Sequence, residues 1–211
     1  MAKAPGIASE KTVGRVSLYR RLLGNLLAEG TANVFSYELA KMAKVTAAQV
    51  RRDVMIVGYT GSPVRGYEVR GLIKSIDAFL NSPKRERVAL VGVGNLGRAL
   101  LAYFAGRRPT LSIVAAFDSD PQKAGRVING CKCCPMEELP ALVRELGINI
   151  GIIAVPATEA QGAAETCVKA GIRGLLNFAP TPLHLPPGIY VSDIDLAIAL
   201  EKVAFFTRQG R

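Results

Sequence analysis

Histidine is almost missing from this chain: His184 is the only one in 211 residues. It lies in the loop-like run Thr181-Pro182-Leu183-His184-Leu185-Pro186-Pro187 and reads as an ordinary loop residue. No His–Asp or Tyr–Lys pairing and no metal-ligand cluster stands out, so the constellation that a hydride-transferring enzyme needs is lacking. Cysteine is scarce too, and Cys131, Cys133 and Cys134 are bunched together. That spacing is neither a disulfide framework nor a zinc pattern and reads as reduced thiols in a loop. Although 49% of the residues are hydrophobic, no apolar run reaches the length of a membrane span. Met1 to Gly14 contains no secretory apolar core, so a cytoplasmic location is expected. Acidic residues are outnumbered, 17 against 27 Lys and Arg, and the imbalance is uneven: residues 1–87 hold 15 basic and 7 acidic residues. A basic front half ahead of a near-neutral second half suggests a polyanionic partner for the front half. Charge alone does not separate DNA from RNA or from an anionic membrane surface.

What is present is most informative at Val88 to Leu100. An apolar run leads into Gly92-Val93-Gly94-Asn95-Leu96-Gly97 and then into a helical pattern. A Gly-x-Gly-x-x-Gly turn between strand and helix is where a dinucleotide pyrophosphate sits. Gly92 allows the tight turn, Gly94 lets backbone approach the ligand, and Gly97 lets helix pack closely on strand. The helix N-terminus offers unpaired N–H groups to phosphate. A second strand, Leu111 to Phe117, ends at Asp118, the position of an acid that holds the adenosine ribose. That acid favours NAD(H) over NADP(H), because it repels a 2′-phosphate.

The alternation of apolar strands and amphipathic helices continues. Met136–Leu146 and Thr158–Ala170 read as helices; Ile150–Val155, Arg173–Phe178 and Ile189–Val191 read as strands. This pattern predicts a doubly wound parallel sheet. Its ligand crevice lies outside the carboxyl ends of the strands, so Val155, Pro156, Asn177, Phe178 and Ala179 are expected to line it with the glycine turn and Asp118. Leu196 to Phe206 is apolar on nearly every face. A helix of that kind needs cover on all sides, which a second copy of the chain supplies in a homodimer.

The front half reads as helices with a hairpin. Val13–Glu29 carries one apolar face and Gly30 as its stop; Ser36 is placed to cap Tyr37–Ala43; Thr46 and Gln49 form a capping box for a third helix. Val50 and Val54 face inward there, which leaves Gln49, Arg51 and Arg52 outward. Two short helices joined by a tight turn, with a basic outer face, fit a helix-turn-helix. Gln49 suits adenine; arginine suits guanine or phosphate. Ile56 to Val69 reads as a β-hairpin around a Gly/Pro-rich loop, a wing that carries Arg65 and Tyr67. Leu72–Leu80 is a further helix. The polar run Asn81 to Glu86 places a boundary there, with a winged helix-turn-helix over residues 1–84 and a Rossmann domain over 85–211.

The combination GVGNLGRALL, AFDSDP, AGIRGLLNFAP and VSDIDLAIAL, behind TAAQVRRDV and the GYTGSPVRGYEV wing, resembles the Rex family of redox-sensing transcriptional repressors over nearly the whole chain. The resemblance implies a homodimer that binds near-palindromic operator double-stranded DNA when NADH is scarce and leaves it when NADH binds. NAD⁺ binds more weakly and is compatible with DNA. It also implies a terminal helix, about residues 195–209, exchanged between subunits. Gly92 to Gly97 fall on the family's pyrophosphate loop and Asp118 on its ribose position. Tyr103 and Asp195 fall on residues linking nicotinamide to interdomain contacts, and Arg21 on an arginine that pairs with that aspartate across the dimer. Thr46, Gln49, Arg51, Arg52, Arg65 and Tyr67 belong to the DNA-binding half. An apolar nicotinamide pocket of Val155, Pro156, Phe178 and the partner's Leu196 would disfavour the cationic ring of NAD⁺. The N-terminal extension and the cysteine cluster have no family counterpart. Three rivals stand beside this reading. One is an NAD-dependent oxidoreductase. Another is a CoA-binding Rossmann protein, because PATEAQGAAETCVKAGIRGLLNFAP also resembles the CoA-binding domain of succinyl-CoA synthetase. The third is a constitutive winged-helix DNA binder whose Rossmann domain only dimerises.

Overall fold

The computed structural model describes residues 8–81, 85–106 and 110–209; the expected boundary run and the N-terminal segment lie partly outside them. The chain divides into two compact units, Met1–Pro83 and Lys84–Arg211.

The first unit opens with α1, Glu10–Ala28, which begins earlier than its apolar periodicity suggests. Ser9 is the cap, and its Oγ accepts from the Thr12 N–H at 3.3 Å. Helix α2, Ser36–Ala43, includes Ser36 rather than being capped by it. Phe35 is the cap residue, and its N–H donates to the Glu38 carboxylate at 2.7 Å, so the side chain of the third helical residue satisfies the free end. Helix α3, Ala47–Ile56, is capped as expected by Thr46, whose Oγ1 accepts from the Gln49 N–H at 3.1 Å. The return half of the capping box is absent, because the Gln49 amide turns to Arg52 and Asp53 instead.

The hairpin departs from expectation. Ile56 ends α3 and Val57 caps it, so neither is a strand. The chain instead pairs β1, Asn33–Val34, antiparallel with β2, Tyr67–Glu68, while Ser62 and Gly66 close the intervening turn with paired backbone hydrogen bonds of 2.8 Å. Helical periodicity wins at Val57 because its side chain reaches the core shared by α1 to α3. Helix α4, Val69–Leu80, completes the unit. Val16, Leu23, Leu39, Val50, Leu72 and Ile76 form the centre of that core.

The second unit is built on β3, Glu86–Val91, α5, Asn95–Phe104, and β4, Leu111–Asp118. There follow β5, Val127–Ile128, β6, Cys131–Pro135, and α6, Leu139–Leu146, which continues from a single 3₁₀ turn. The remainder is β7, Ile150–Ile153, α7, Ala157–Ala170, β8, Gly174–Asn177, β9, Tyr190–Asp193, and α8, Leu196–Gln209. The sheet order is β5-β6-β4-β3-β7-β8-β9, parallel throughout except for β5 against β6. Leaving out the β5 edge, this is the 3-2-1-4-5-6 order of a doubly wound dinucleotide fold, with its switch point between β3 and β7. Alternate residues of β3 serve opposite cores: Ala89 and Val91 pack toward α6 and α7, Val88 and Leu90 toward Leu101 of α5.

The cysteine cluster is strand β6, not a loop. Cys131 and Cys133 belong to one core and Cys134 to the other, and all three are buried. Burial pushes the Cys131 thiol up to about 11 and raises Cys133 and Cys134 as well, so these groups behave as small apolar side chains rather than reactive thiolates. Helix α8 buries none of its residues. No helix among the described residues is long and apolar enough to cross a membrane.

Candidate functional site

A cavity of about 590 Å³ opens at the carboxyl ends of β3, β4 and β7, lined by Gly92, Gly94, Asp118, Val155 and Pro156 among others. The three glycines differ in what they need. Gly92 has φ +95°, and a Cβ there would lie 2.5 Å from the Ala154 carbonyl oxygen. A Cβ on Gly97 would run into the Gly92 carbonyl oxygen, so the close seating of α5 on the turn requires glycine. Gly94 has an ordinary backbone conformation, φ −77°, and nothing within 4 Å of where its Cβ would stand. Among the described residues nothing demands glycine at 94; the open space belongs to the cavity, as a ligand approached by backbone requires. Asn95 and Leu96 are exposed in the first turn of α5, whose leading N–H groups have no partner within the helix.

Asp118 both lines the cavity and holds the turn together. Its Oδ2 accepts from the Val93 N–H at 2.7 Å and from Lys123 Nζ at 3.0 Å; its Oδ1 accepts from the Asp120 N–H at 2.9 Å. Burial works to raise this carboxyl, but the two backbone N–H groups and the Lys123 ammonium outweigh it and hold the group below the usual carboxylate value. Val93 is itself buried and contributes its backbone, not its side chain.

Asn177 and Ala179 do not line the cavity. Asn177 is fully buried, and both protons of its amide are used: Nδ2 donates to the Thr181 carbonyl at 2.8 Å and to Asp193 Oδ1 at 2.7 Å, while Oδ1 accepts from the Ala179 N–H at 3.0 Å. Asn177 therefore fastens the loop after β8, and the expectation that it lines the cavity is corrected. Phe178 is half-buried against the α5-side core, away from the cavity lining. Tyr103 is 54% exposed and lies edge-to-face on Phe104. Asp195 caps α8, its Oδ1 accepting from the Ile198 N–H at 2.9 Å; Leu196 is exposed, as is Arg21 on α1. His184 stays a loop residue, its backbone N–H donating to Gln161 at 3.0 Å.

On the first unit, Arg51 and Arg52 stand exposed on α3, and Arg65 is exposed at the tip of the Ser62–Gly66 turn. Tyr67 is 9% exposed and packs in the core of the first unit, so it supports the wing. Gln49 is half-buried; its Nε2 donates to Asp53 Oδ1 at 2.9 Å and its Oε1 accepts from Arg52 Nη2 at 2.8 Å. These two contacts make Gln49 a bridge between Asp53 and Arg52, and each end of its amide keeps one further hydrogen-bonding position. Asp53 was not singled out from the sequence. It is fully buried and accepts from Arg15 Nε at 2.7 Å, Arg15 Nη2 at 2.8 Å and the Tyr19 hydroxyl at 2.9 Å. The available signal was an acid on the inward face of α3, beside Val50 and Val54. Lys123 also escaped notice, because nothing in its turn marks it out.

Comparison with known proteins follows the same division. Residues 8–54 match the family described as "Putative DNA-binding protein N-terminus", and residues 83–181 match "CoA binding domain". A redox-sensing transcriptional repressor Rex from Carboxydothermus hydrogenoformans is 42% identical over 200 residues, covering 95% of this chain and 96% of the relative. The chain belongs to the Rex family. Among solved structures, the crystal structure of RSP in complex with β-NAD⁺ and operator DNA superimposes with a TM-score of 0.89 at 28% identity, covering 97% of this chain and 94% of that one. RSP in complex with β-NADH gives 0.86 over 97% and 96%. Rex membership accounts for both units together: a DNA-binding N-terminal domain followed by a Rossmann-like α/β domain. It places the chain among transcriptional regulators rather than dehydrogenases, and the CoA-binding match falls on the Rossmann core alone.

Proposed function

We propose that this chain is a redox-sensing repressor that holds operator DNA when NADH is low and releases it when NADH binds. The observation that carries the reading is the cavity at the β3–β7 switch point, where Gly94 leaves open space against the first turn of α5 and Asp118 stands at the end of β4. Similarity over nearly the full chain to RSP, a Rex-family repressor, in structures with β-NADH and with β-NAD⁺ and operator DNA supports it. Ala154, Val155 and Pro156 give the cavity an apolar wall. A neutral dihydronicotinamide tolerates such a wall better than the cationic ring of NAD⁺, which loses hydration there. For this preference to become a switch, NADH must bind one arrangement of the dimer more tightly than the other. Arg51, Arg52 and Arg65 form the DNA face; Arg21, Tyr103 and Asp195 relay the nucleotide state to it. The working form is a cytoplasmic homodimer on a near-palindromic operator.

Operator binding measured at several NADH:NAD⁺ ratios tests the proposal: affinity falls as the ratio rises, and a flat response refutes it. Gly94→Val gives the sharper form. A side chain at 94 enters the open space, so the variant binds operator normally and ignores NADH; a normal NADH response overturns the assignment of the crevice. The CoA-binding match supports one competing reading, and displacement of NADH by CoA in a titration would favour it.

A further inference from the structure

Asp118 has less to offer a ribose than its position suggests. An ionised carboxylate accepts about four hydrogen bonds. Two fall on Oδ2, from the Val93 N–H and Lys123 Nζ, and one on Oδ1, from the Asp120 N–H. Counting the described residues, one acceptor position therefore remains, on Oδ1, whereas an adenosine ribose presents two hydroxyls. Lys123 stands at the same spot. Its Nζ lies 3.0 Å from Asp118 Oδ2 and 3.7 Å from Asp120 Oδ2, and its side chain is 22% exposed. The ammonium has three protons; Asp118 takes one, and the Asp120 distance is too long for a good hydrogen bond. Protons remain for an oxygen of the ligand. Lys123 is also the only cation among the described residues that line this cavity, where Asp118, Asp120 and Glu159 are the acids.

We propose that Lys123 is a specificity-determining residue of the nucleotide site. It donates to the ribose edge of the dinucleotide, and its charge sets how strongly a 2′-phosphate is rejected. The proposal rests on the dinucleotide reading above and adds to it. With Lys123 in place the acids around the ribose edge are partly neutralised, and exclusion of a phosphorylated ribose is milder than Asp118 alone would impose. Without it, two adjacent carboxylates face the 2′ position uncompensated. A phosphate there carries charge and a hydroxyl does not, so losing the ammonium penalises the phosphorylated nucleotide far more.

The test is direct titration of NADH and NADPH into the full-length wild type, Lys123→Met and Lys123→Arg, each checked for an unchanged melting temperature. Lys123→Met is expected to weaken NADPH at least about tenfold more than NADH, with the difference shrinking at high salt. Lys123→Arg restores the wild-type ratio. If Lys123 merely propped the Asp118 turn, Lys123→Met would weaken both nucleotides equally. An unchanged NADH:NADPH ratio therefore overturns the proposal while NADH binding by the wild type still upholds the site. Wild-type protein that binds neither nucleotide overturns the site reading and this inference with it.

Discussion

Asp53 shows how one residue links stability to the surface proposed to meet DNA. It is a buried carboxylate held by a bidentate arginine, a tyrosine hydroxyl and the Gln49 amide. Burial works to raise its pKa, but the hydrogen bonds from Arg15, Tyr19 and Gln49 outweigh burial and bring it below the ordinary value. A carboxylate depressed in the folded state contributes stability above its unfolded pKa of about 3.9 and loses it as pH falls through the lower folded value. Asp53→Asn is therefore expected to destabilise the first unit by about 2 kcal/mol at pH 7, with the gap to wild type closing below about pH 4. Thermal melts across pH check this, and a gap that persists at low pH contradicts it. The sequence revealed residues of this kind unevenly. Gly92, Gly94 and Gly97 were legible because their spacing encodes a backbone path. Asp118 was legible as a position but not as a brace, since a hydrogen bond to the Val93 N–H depends on a turn twenty-five residues away. Asn177 was misread as lining the cavity because only the fold reveals that Asp193 and Thr181 take both of its amide protons.

At the scale of elements, long periodic segments came through, as did the short strand β9, while β1 and the β5–β6 hairpin did not. The helices from α1 to α7 and strands β3, β4, β7 and β8 each announce themselves by apolar period and by glycine or proline stops. The hairpin of β5 and β6 was missed although its signal was present. Val127-Ile128-Asn129-Gly130-Cys131-Lys132 is an Asn-Gly turn between apolar flanks, and both turn residues have positive φ, 49° and 79°. Strand β1 carries no such mark; two residues become a strand only because β2 returns beside them. On α3, the network from Asp53 through Gln49 to Arg52 aims one guanidinium outward. Arg52→Ala is expected to cost about 1–3 kcal/mol in operator binding and to relax selectivity at one base pair. Gln49→Ala gives a smaller loss at the same base pair, because it frees the arginine without removing it. Competition against operators altered one position at a time reads both effects. Full affinity in an Arg51/Arg52 double alanine variant would sink the assignment of α3 as the recognition helix.

The whole molecule leaves one demand that a single chain does not meet. Helix α8 follows β9 at the end of the second unit and buries none of its residues; Leu200 is 69% exposed and Phe206 is 65% exposed. Its sequence is apolar on nearly every face, so turning it by any angle leaves hydrophobic surface in water. Contiguous apolar surface of this extent marks a protein–protein interface, and closed two-fold symmetry is the commonest arrangement that covers such a surface with an identical one. A two-fold dimer also suits a near-palindromic operator, because each DNA-binding unit then reads one half-site. The two properties are thus tied together, and disrupting the helix tests both. Leu200→Glu combined with Phe206→Glu places two charges where apolar contact is needed. The wild type is expected to sediment as a dimer, and the variant as a monomer at the same concentration. Its operator affinity drops steeply, because two half-sites no longer bind as one event, while its binding to a single half-site stays close to wild type. A variant that remains dimeric would show that another surface holds the subunits together, and a monomeric variant with undiminished operator affinity would separate DNA binding from dimerisation altogether.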